Sequence, residues 1–139
     1  MPGWVPPDHW SESQGQLKKS GTVKLNASGQ GTIFFTPDTA RQRWVVDTVV
    51  VSTNQAFNAG TVPTVTLALN ANDITTMSDG NNQGSTWSGN QDTFTGTTDV
   101  GPCDNFSVIF SPPSGQSGTS LSGVICKAVV YGVKYNRRA

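Results

Sequence analysis

Apolar and polar residues alternate along much of this chain with a period of two, which is the pattern of β-strands that bury one face. The alternation is clear in residues 65–69, where valine and leucine occupy every second position, and in residues 106–110, where phenylalanine and valine do so. No segment follows the 3.6-residue period of an amphipathic helix. The pattern therefore predicts a protein built from strands.

Two segments carry apolar side chains at both parities. Residues 44–53 contain one tryptophan and five valines, as expected of a strand that is covered on both faces or packed on a partner. Residues 124–133 show the same property, and Gly132 is placed there to permit a β-bulge or a close approach of two backbones. We expect the first segment to be the central strand and the second to be the final strand.

Turn-forming residues separate the remaining strands. Residues 22–25 and 32–36 flank a stretch rich in Asn, Ser and Gly, so we expect them to form a hairpin. Residues 70–105 break the regular pattern, and we expect short strands near 74–77 and 92–97 because long structureless loops are uncommon in compact domains. Roughly eight strands result.

This strand pattern predicts an all-β fold, a single antiparallel β-sandwich that is jelly-roll-like and spans residues 21–139. A small barrel is the alternative. The composition agrees, since 19 Val and Ile stand against five Leu and a single Glu, which favours sheet over helix. A length of 139 residues fits one domain.

Residues 1–20 follow neither period and are rich in proline, so we expect an extended N-terminal docking arm. Trp4 and Trp10 are costly to leave in water, and Pro6 and Pro7 lower the entropy lost when an extended segment is immobilised. These four residues are predicted to bind a partner surface. A merely disordered terminus is the alternative.

Membrane and export signals are not expected. The chain has no run of about 18 apolar residues, and its first residues have neither the basic nor the apolar region of a secretory signal. We therefore expect a soluble chain that is made in the cytosol and has no membrane partner.

Charge is unevenly distributed along the chain, although its net charge is zero. Residues 44–126 contain six Asp and no Lys or Arg, which leaves −6 there and +6 on the two ends together. The separation argues against a nucleic-acid partner and favours complementary surfaces between protein subunits. Ordinary solvated faces are the alternative.

Neither a metal nor a cofactor is predicted. Cys103 and Cys126 cannot form a zinc site alone, because zinc takes about four ligands and the single histidine is His9. A disulfide between the two cysteines is geometrically allowed. Without an export signal, however, we expect free thiols that are buried as small apolar residues.

No catalytic residue is predicted either. The lone histidine lies in the proline-rich segment, G-x-S-x-G is absent, and aspartates in loops rich in Asn and Gly usually accept local backbone hydrogen bonds. Trp87, Asn90 and Asp92 form a candidate ligand loop, in which the indole would stack on a sugar of the host envelope beside polar side chains. The alternative is that Trp87 belongs to the core.

The stretch from Ser20 to Tyr135 resembles a family of small virion proteins of tailed bacteriophages, especially those of actinobacterial hosts. The matching pieces are residues 20–25, 28–32, 43–46, 49–53, 63–67, 86–93 with the pattern T-x-x-G-x-x-D-[ST], and 118–132. Residues 70–85 depart from the family as an insertion, and Phe110-Ser111 stands where the family more often has Trp-Thr. The resemblance implies a β-sandwich on the outside of a phage particle, and it implies no catalytic residues.

We therefore expect a non-enzymatic structural protein of a tailed-phage virion, assembled in the host cytoplasm and present in several copies. The favoured role is that of a minor tail protein at the tail tip, docked through its N-terminal arm onto other virion proteins. A capsid decoration or head-fibre protein is one alternative. A module that binds host-envelope glycans is another.

Overall fold

The computed structural model describes residues 12–54, 63–78, 90–113 and 118–137. In this part of the chain the strands are β1 (Glu12–Lys24), β2 (Gly31–Phe35), β3 (Gln42–Thr53), β4 (Thr64–Leu69), β5 (Asn72–Asp73), β6 (Met77–Ser78), β7 (Gln91–Val100), β8 (Phe106–Ser111) and β9 (Ile125–Arg137). A short 3-10 helix spans Gly118–Leu121, just before β9.

The strands form two antiparallel sheets. The first sheet has the order β1-β9-β3-β7-β6 and the second has the order β2-β8-β4-β5. This arrangement confirms the predicted all-β sandwich. It also confirms the central position of residues 44–53, because β3 pairs with β9 on one side and with β7 on the other.

The connectivity is that of a jelly roll. β1 pairs with β9, β2 with β8, β3 with β7 and β4 with β5. The strands of the first half of the chain therefore pair, in reverse order, with those of the second half. Successive pairs alternate between the two sheets, which wraps the paired strands into a sandwich. The first and last strands of the chain are therefore neighbours.

The core lies between the inner faces of the two sheets. The largest fully buried side chains are Trp44, Phe94, Phe106, Phe110, Leu17, Leu67, Met77 and Leu121. Along β4 and β8 the inward positions are those predicted from the alternation, and Val65, Val108 and Phe110 have no exposed surface. Burial of these side chains is the main favourable term in folding.

The boundary of the predicted arm is wrong. Residues 12–20 belong to β1 and pair with β9, and Leu17 is fully buried in the core. The alternation was hidden because two of the inward positions on either side of Leu17 are Gly15 and Gly21, which supply no apolar side chain. An arm, if present, is confined to residues 1–11, which lie outside the described residues.

The predicted hairpin is also wrong. β1 and β2 are consecutive along the chain but belong to different sheets. They contact one another through side chains at the margin of the sandwich: a Cβ added at Gly21 would lie 2.7 Å from Cγ2 of Ile33. The long turn between them allows the chain to cross from one sheet to the other instead of folding back in the same sheet.

Gly132 marks the irregularity expected in the final strand. The register of β3 shifts between Val46 and Thr48 against both of its neighbours, and Gly132 pairs with Val46. A Cβ at Gly132 would overlap the carbonyl oxygen of Val45, so only glycine allows this approach.

Candidate interaction surfaces

The residues predicted to bind a partner, Trp4, Pro6, Pro7 and Trp10, lie outside the described part of the chain. The structure does describe the point from which that segment departs. Glu12 begins β1 and pairs with Arg137 near the end of β9. β1 is the edge strand of its sheet, so the N-terminal segment leaves from the margin of the sandwich.

A buried glutamine stabilises the end of the sandwich from which this segment departs. Gln42 is 4% exposed, and its Nε2 donates to Oδ1 of Asn136 at 2.8 Å. Its Oε1 accepts from Nε1 of Trp44 at 2.8 Å and from the backbone N–H of Asp38 at 3.0 Å. Leaving such buried groups unsatisfied costs about 1–3 kcal/mol each. Gln42 thus joins β3, β9 and the β2–β3 connection into a rigid base.

The sequence pattern did not predict that Gln42 is buried. Its position two residues before Trp44 was the clue, because residues two apart in a strand face the same side.

The candidate ligand loop is only partly described, because Trp87 lies outside the described residues. Asn90 is exposed just before β7, where its Nδ2 donates to the carbonyl of Thr53 at 3.1 Å. Asp92 is 5% exposed and pairs with the inward-facing Val51. Its Oδ1 accepts from the N–H of Thr93 at 2.9 Å. Asp92 is therefore buried, and a ligand role for this loop stays a prediction.

Basic residues collect at one margin of the sandwich. We call the basic edge the set Lys18, Lys19, Lys24 and Lys127, of which the first three lie on β1 and the last on β9. Lys18, Lys24 and Lys127 are exposed, and Lys19 forms an ion pair with Asp38 at 2.8 Å. Residues from the two ends of the sequence meet here because β9 pairs with β1.

Two aromatic side chains extend this basic surface across β9. Nζ of Lys18 lies 5.9 Å from the ring centroid of Tyr131, and the guanidinium carbon of Arg43 lies 4.1 Å from that of Tyr135. Both distances are in the range of cation–π attraction. The outer face of the first sheet therefore combines half-buried aromatic rings with positive charge.

Acidic residues lie at the opposite margin. We call the acidic groove the recess of about 510 Å³ that is lined by residues 69, 70, 72–76 and 97–99. Asp73 on β5 and Asp99 on β7 are exposed at its walls, whereas Leu69 and Ile74 provide apolar lining. The groove opens between the two sheets, since β5 ends one sheet and β7 lies near the end of the other.

The groove is shaped by a tight turn. Asn70 and Ala71 connect β4 to β5 with φ angles of 51° and 69°, which is the pattern of a two-residue hairpin turn of type I′. Nδ2 of Asn70 donates to Oδ1 of Asp104 at 3.0 Å, and the N–H of Asn105 donates to Oδ1 of Asn70 at 2.9 Å. These bonds fix the turn against the β7–β8 connection. The sequence pointed to polar loops in this region but not to a recess.

Two large apolar side chains are exposed among the described residues. Phe34 on β2 is 67% exposed, and Ile125 at the start of β9 is 44% exposed. Phe34 pairs with Ser107 and faces away from the core, while its neighbours Ile33 and Phe35 face inward. Phe34 is therefore an apolar side chain with no structural role in the core.

Both cysteines are free, as predicted. Cys126 is buried in the core, where burial raises the pKa of its thiol from 9.0 to about 12. Cys103 is exposed, which corrects the expectation that both thiols are buried. It lies in the turn between β7 and β8 with a φ of 68°, outside the alternation that places inward residues.

The described part of the chain contains no group of three or more His, Cys, Asp or Glu side chains that could hold a metal ion. Within the same residues, no helix is long and apolar enough to cross a membrane.

Comparison with known proteins assigns no family to this chain. No protein-family model matches the chain, and no curated protein matches it. Among solved structures, a chain of the cyanophage Pam1 capsid asymmetric unit aligns with 98% of this chain and 99% of its own length. The identity is 16% and the TM-score is 0.42. A TM-score this low assigns neither a fold family nor a function.

Proposed function

We propose that this chain is a non-enzymatic structural protein of a tailed-bacteriophage particle, present in several copies and attached through the residues that precede β1. The observation that carries the proposal is the jelly-roll sandwich whose first strand lies at a sheet edge. Jelly rolls recur in viral coat proteins, although the fold alone does not determine a function. The sequence resemblance to phage virion proteins points in the same direction.

The position of β1 suits an attachment role. A segment that continues an edge strand can leave the sandwich without disturbing its core, and the hydrogen bonds of Gln42 hold that end of the molecule rigid. Trp4 and Trp10 would then act as aromatic anchors, of the kind that dominate protein–protein contacts. Pro6 and Pro7 would limit the entropy lost when the segment is bound.

The tail tip is our preferred location, and the outer surface of the capsid is the alternative. A sandwich with an attachment segment can serve both positions, and imaging of the particle decides between them.

The experiment is incorporation of a variant that lacks residues 1–11 into particles produced without the wild-type protein. We expect the purified variant to fold, because β1 is intact, and to be missing from the particle. A matched control replaces only His9 by Ala and keeps both tryptophans and both prolines; it is expected to incorporate normally. Full incorporation of the deletion variant would refute attachment through this segment.

A gold-labelled tag at the C-terminus, imaged on intact particles, decides the location. Labels at the tail tip support the minor tail role, and labels over the head support the decoration role. A protein that never co-purifies with particles would refute the virion assignment itself.

A further inference from the structure

We propose that copies of this chain associate head to tail, with the basic edge of one copy seated on the acidic groove of the next. This inference rests on the proposed function in that it assumes several copies. Its partner is a second copy of the same chain, and its evidence is the complementarity of two surfaces on opposite margins of one sandwich.

The separation of charge along the sequence is kept in the fold. β1 and β9, which carry the basic edge, lie at one end of the first sheet, whereas β7 lies toward the other end. Residues 44–126 contain no Lys or Arg, so no strand from β4 to β8 places a basic side chain beside Asp73 or Asp99. On β3, Arg43 is two residues from the partner of Asp99, and its guanidinium lies over the ring of Tyr135. A subunit of zero net charge thus carries two opposed margins of opposite sign.

The lysine side chains suit the recess. The acidic groove has apolar lining from Leu69 and Ile74 together with its carboxylates. The basic edge offers the long, exposed side chains of Lys18, Lys24 and Lys127. The apolar stem of a lysine can pack on such a lining while its ammonium group reaches a carboxylate.

Head-to-tail association follows from the signs of the charges. Because the two margins lie on opposite sides of the sandwich, a two-fold contact through one margin would place a basic edge on a basic edge or an acidic groove on an acidic groove, and like charges in contact disfavour such pairs. When the basic edge of one copy binds the acidic groove of the next, the first copy keeps a free groove and the second keeps a free basic edge, so further copies can bind. Repetition of such a contact builds a ring or a filament.

The test uses the full chain in solution and two charge-reversed variants. In the first variant Lys18→Glu and Lys24→Glu make both margins acidic; in the second, Asp73→Lys and Asp99→Lys make both margins basic. All four side chains are exposed, so we expect each variant to fold, and melting curves check this. Sedimentation velocity at low salt measures association of each protein alone and of the equimolar mixture.

We expect the wild type to associate at low salt and to dissociate as salt rises, because screening weakens contacts between exposed charges. Each variant alone should be monomeric. Their mixture should associate, since every contact then joins an acidic margin to a basic one. Asp47→Lys is the matched control: Asp47 is exposed on β3, away from both margins, and its reversal should leave association unchanged.

If Asp73→Lys prevents folding, Asp73→Asn with Asp99→Asn tests the same groove and should also be monomeric. A wild type that stays monomeric at low salt, variants that associate alone, or a mixture that fails to associate would each overturn the inference. None of these results bears on incorporation of the variant lacking residues 1–11, so the two proposals fail separately.

Discussion

Ala71 shows, at the scale of a single residue, how the fold imposes a conformation that its side chain disfavours. It occupies the second position of the β4–β5 turn with a φ of 69°, and the preceding Asn70 has a φ of 51°. Asparagine tolerates this region because its side chain can bond locally, but alanine does so at a cost of about 1–2 kcal/mol. The turn is retained because it places Asn72 and Asp73 back against β4.

Ala71→Gly is therefore expected to stabilise the protein. Glycine removes the left-handed strain but adds freedom to the unfolded chain, so the net gain should be about 0.5–1 kcal/mol, or a rise of roughly 2–4 °C in Tm. Ala27→Gly is the control, since Ala27 is exposed and its φ is not positive. That control should leave Tm unchanged or lower it, and an equal rise for both variants would contradict the role of strain at Ala71.

The two cysteines differ in environment although both are free. Native protein at neutral pH should react with one equivalent of a maleimide, at Cys103, and Cys103→Ser should abolish the reaction. Labelling of two thiols in the native state would contradict the burial of Cys126, and a mass two hydrogens lower before reduction would contradict the free thiols.

Cys126 also predicts a loss of stability at alkaline pH. Burial raises the pKa of its thiol from 9.0 to about 12, so the folded state holds this proton more tightly than the unfolded state. Its contribution to the free energy of unfolding is complete below about pH 9 and is lost as the pH rises toward 12. Urea titrations of the wild type and of Cys126→Ala should show a shallower alkaline decline for the variant, and identical slopes would contradict this assignment.

At the scale of elements, β1 belongs to the core and also leads into the N-terminal segment, whereas the sequence predicted a single arm over residues 1–20. Its inward side chains belong to the core, and its start leads into the segment proposed to bind the particle. Its lysines also protect a 13-residue edge strand against unwanted pairing with other strands. The border between core and attachment segment therefore falls at Glu12 and not after residue 20.

Two deletions test this border. Removal of residues 1–11 should leave the melting transition nearly unchanged, because every pair between β1 and β9 remains. Removal of residues 1–18 also deletes the fully buried Leu17 and the pairs from Glu12 to Lys18, and should eliminate most of the stability. Loss of one buried leucine alone costs about 2–5 kcal/mol against a total of about 5–15 kcal/mol. Equal stability of the two deletion variants would contradict the assignment of residues 12–18 to the core.

At the scale of the whole molecule, the nested pairing makes almost every strand contact non-local. β1 finds its partner only when β9 is available, more than 100 residues later. Among the strands that the structure describes, only β4 and β5 are paired through a tight turn. The same nesting brings the basic residues of the two chain ends together. Charge separation in the sequence thus becomes charge separation in space.

Folding is expected to be slow for a chain of this size. Proteins dominated by non-local strand pairs fold in milliseconds to seconds, because loop closure must be completed before the pairs contribute. Stopped-flow dilution from urea, followed by tryptophan fluorescence and by far-ultraviolet circular dichroism, measures the rate. A main refolding phase faster than a millisecond would contradict this reading of the topology.

Much of the architecture was determined by the sequence alone. The period of two predicted an all-β sandwich, residues 44–53 were correctly identified as the central strand, and the close approach at Gly132 was expected. These features depend on local properties, namely which side chains alternate, which residues turn, and where a side chain has no room. Local properties can be read from a sequence.

Only the tertiary structure decided which strands pair, and the surfaces followed from that. The pairing of β1 with β9 converted part of the expected arm into core, separated β1 from β2, and assembled the basic edge. The other strand pairs placed Asp92 inside, left Cys103 in an exposed turn, and opened the acidic groove between β5 and β7. Backbone hydrogen bonds between strands are chemically alike for every pair, so the choice among partners depends on the packing of the complete core, which no local pattern contains.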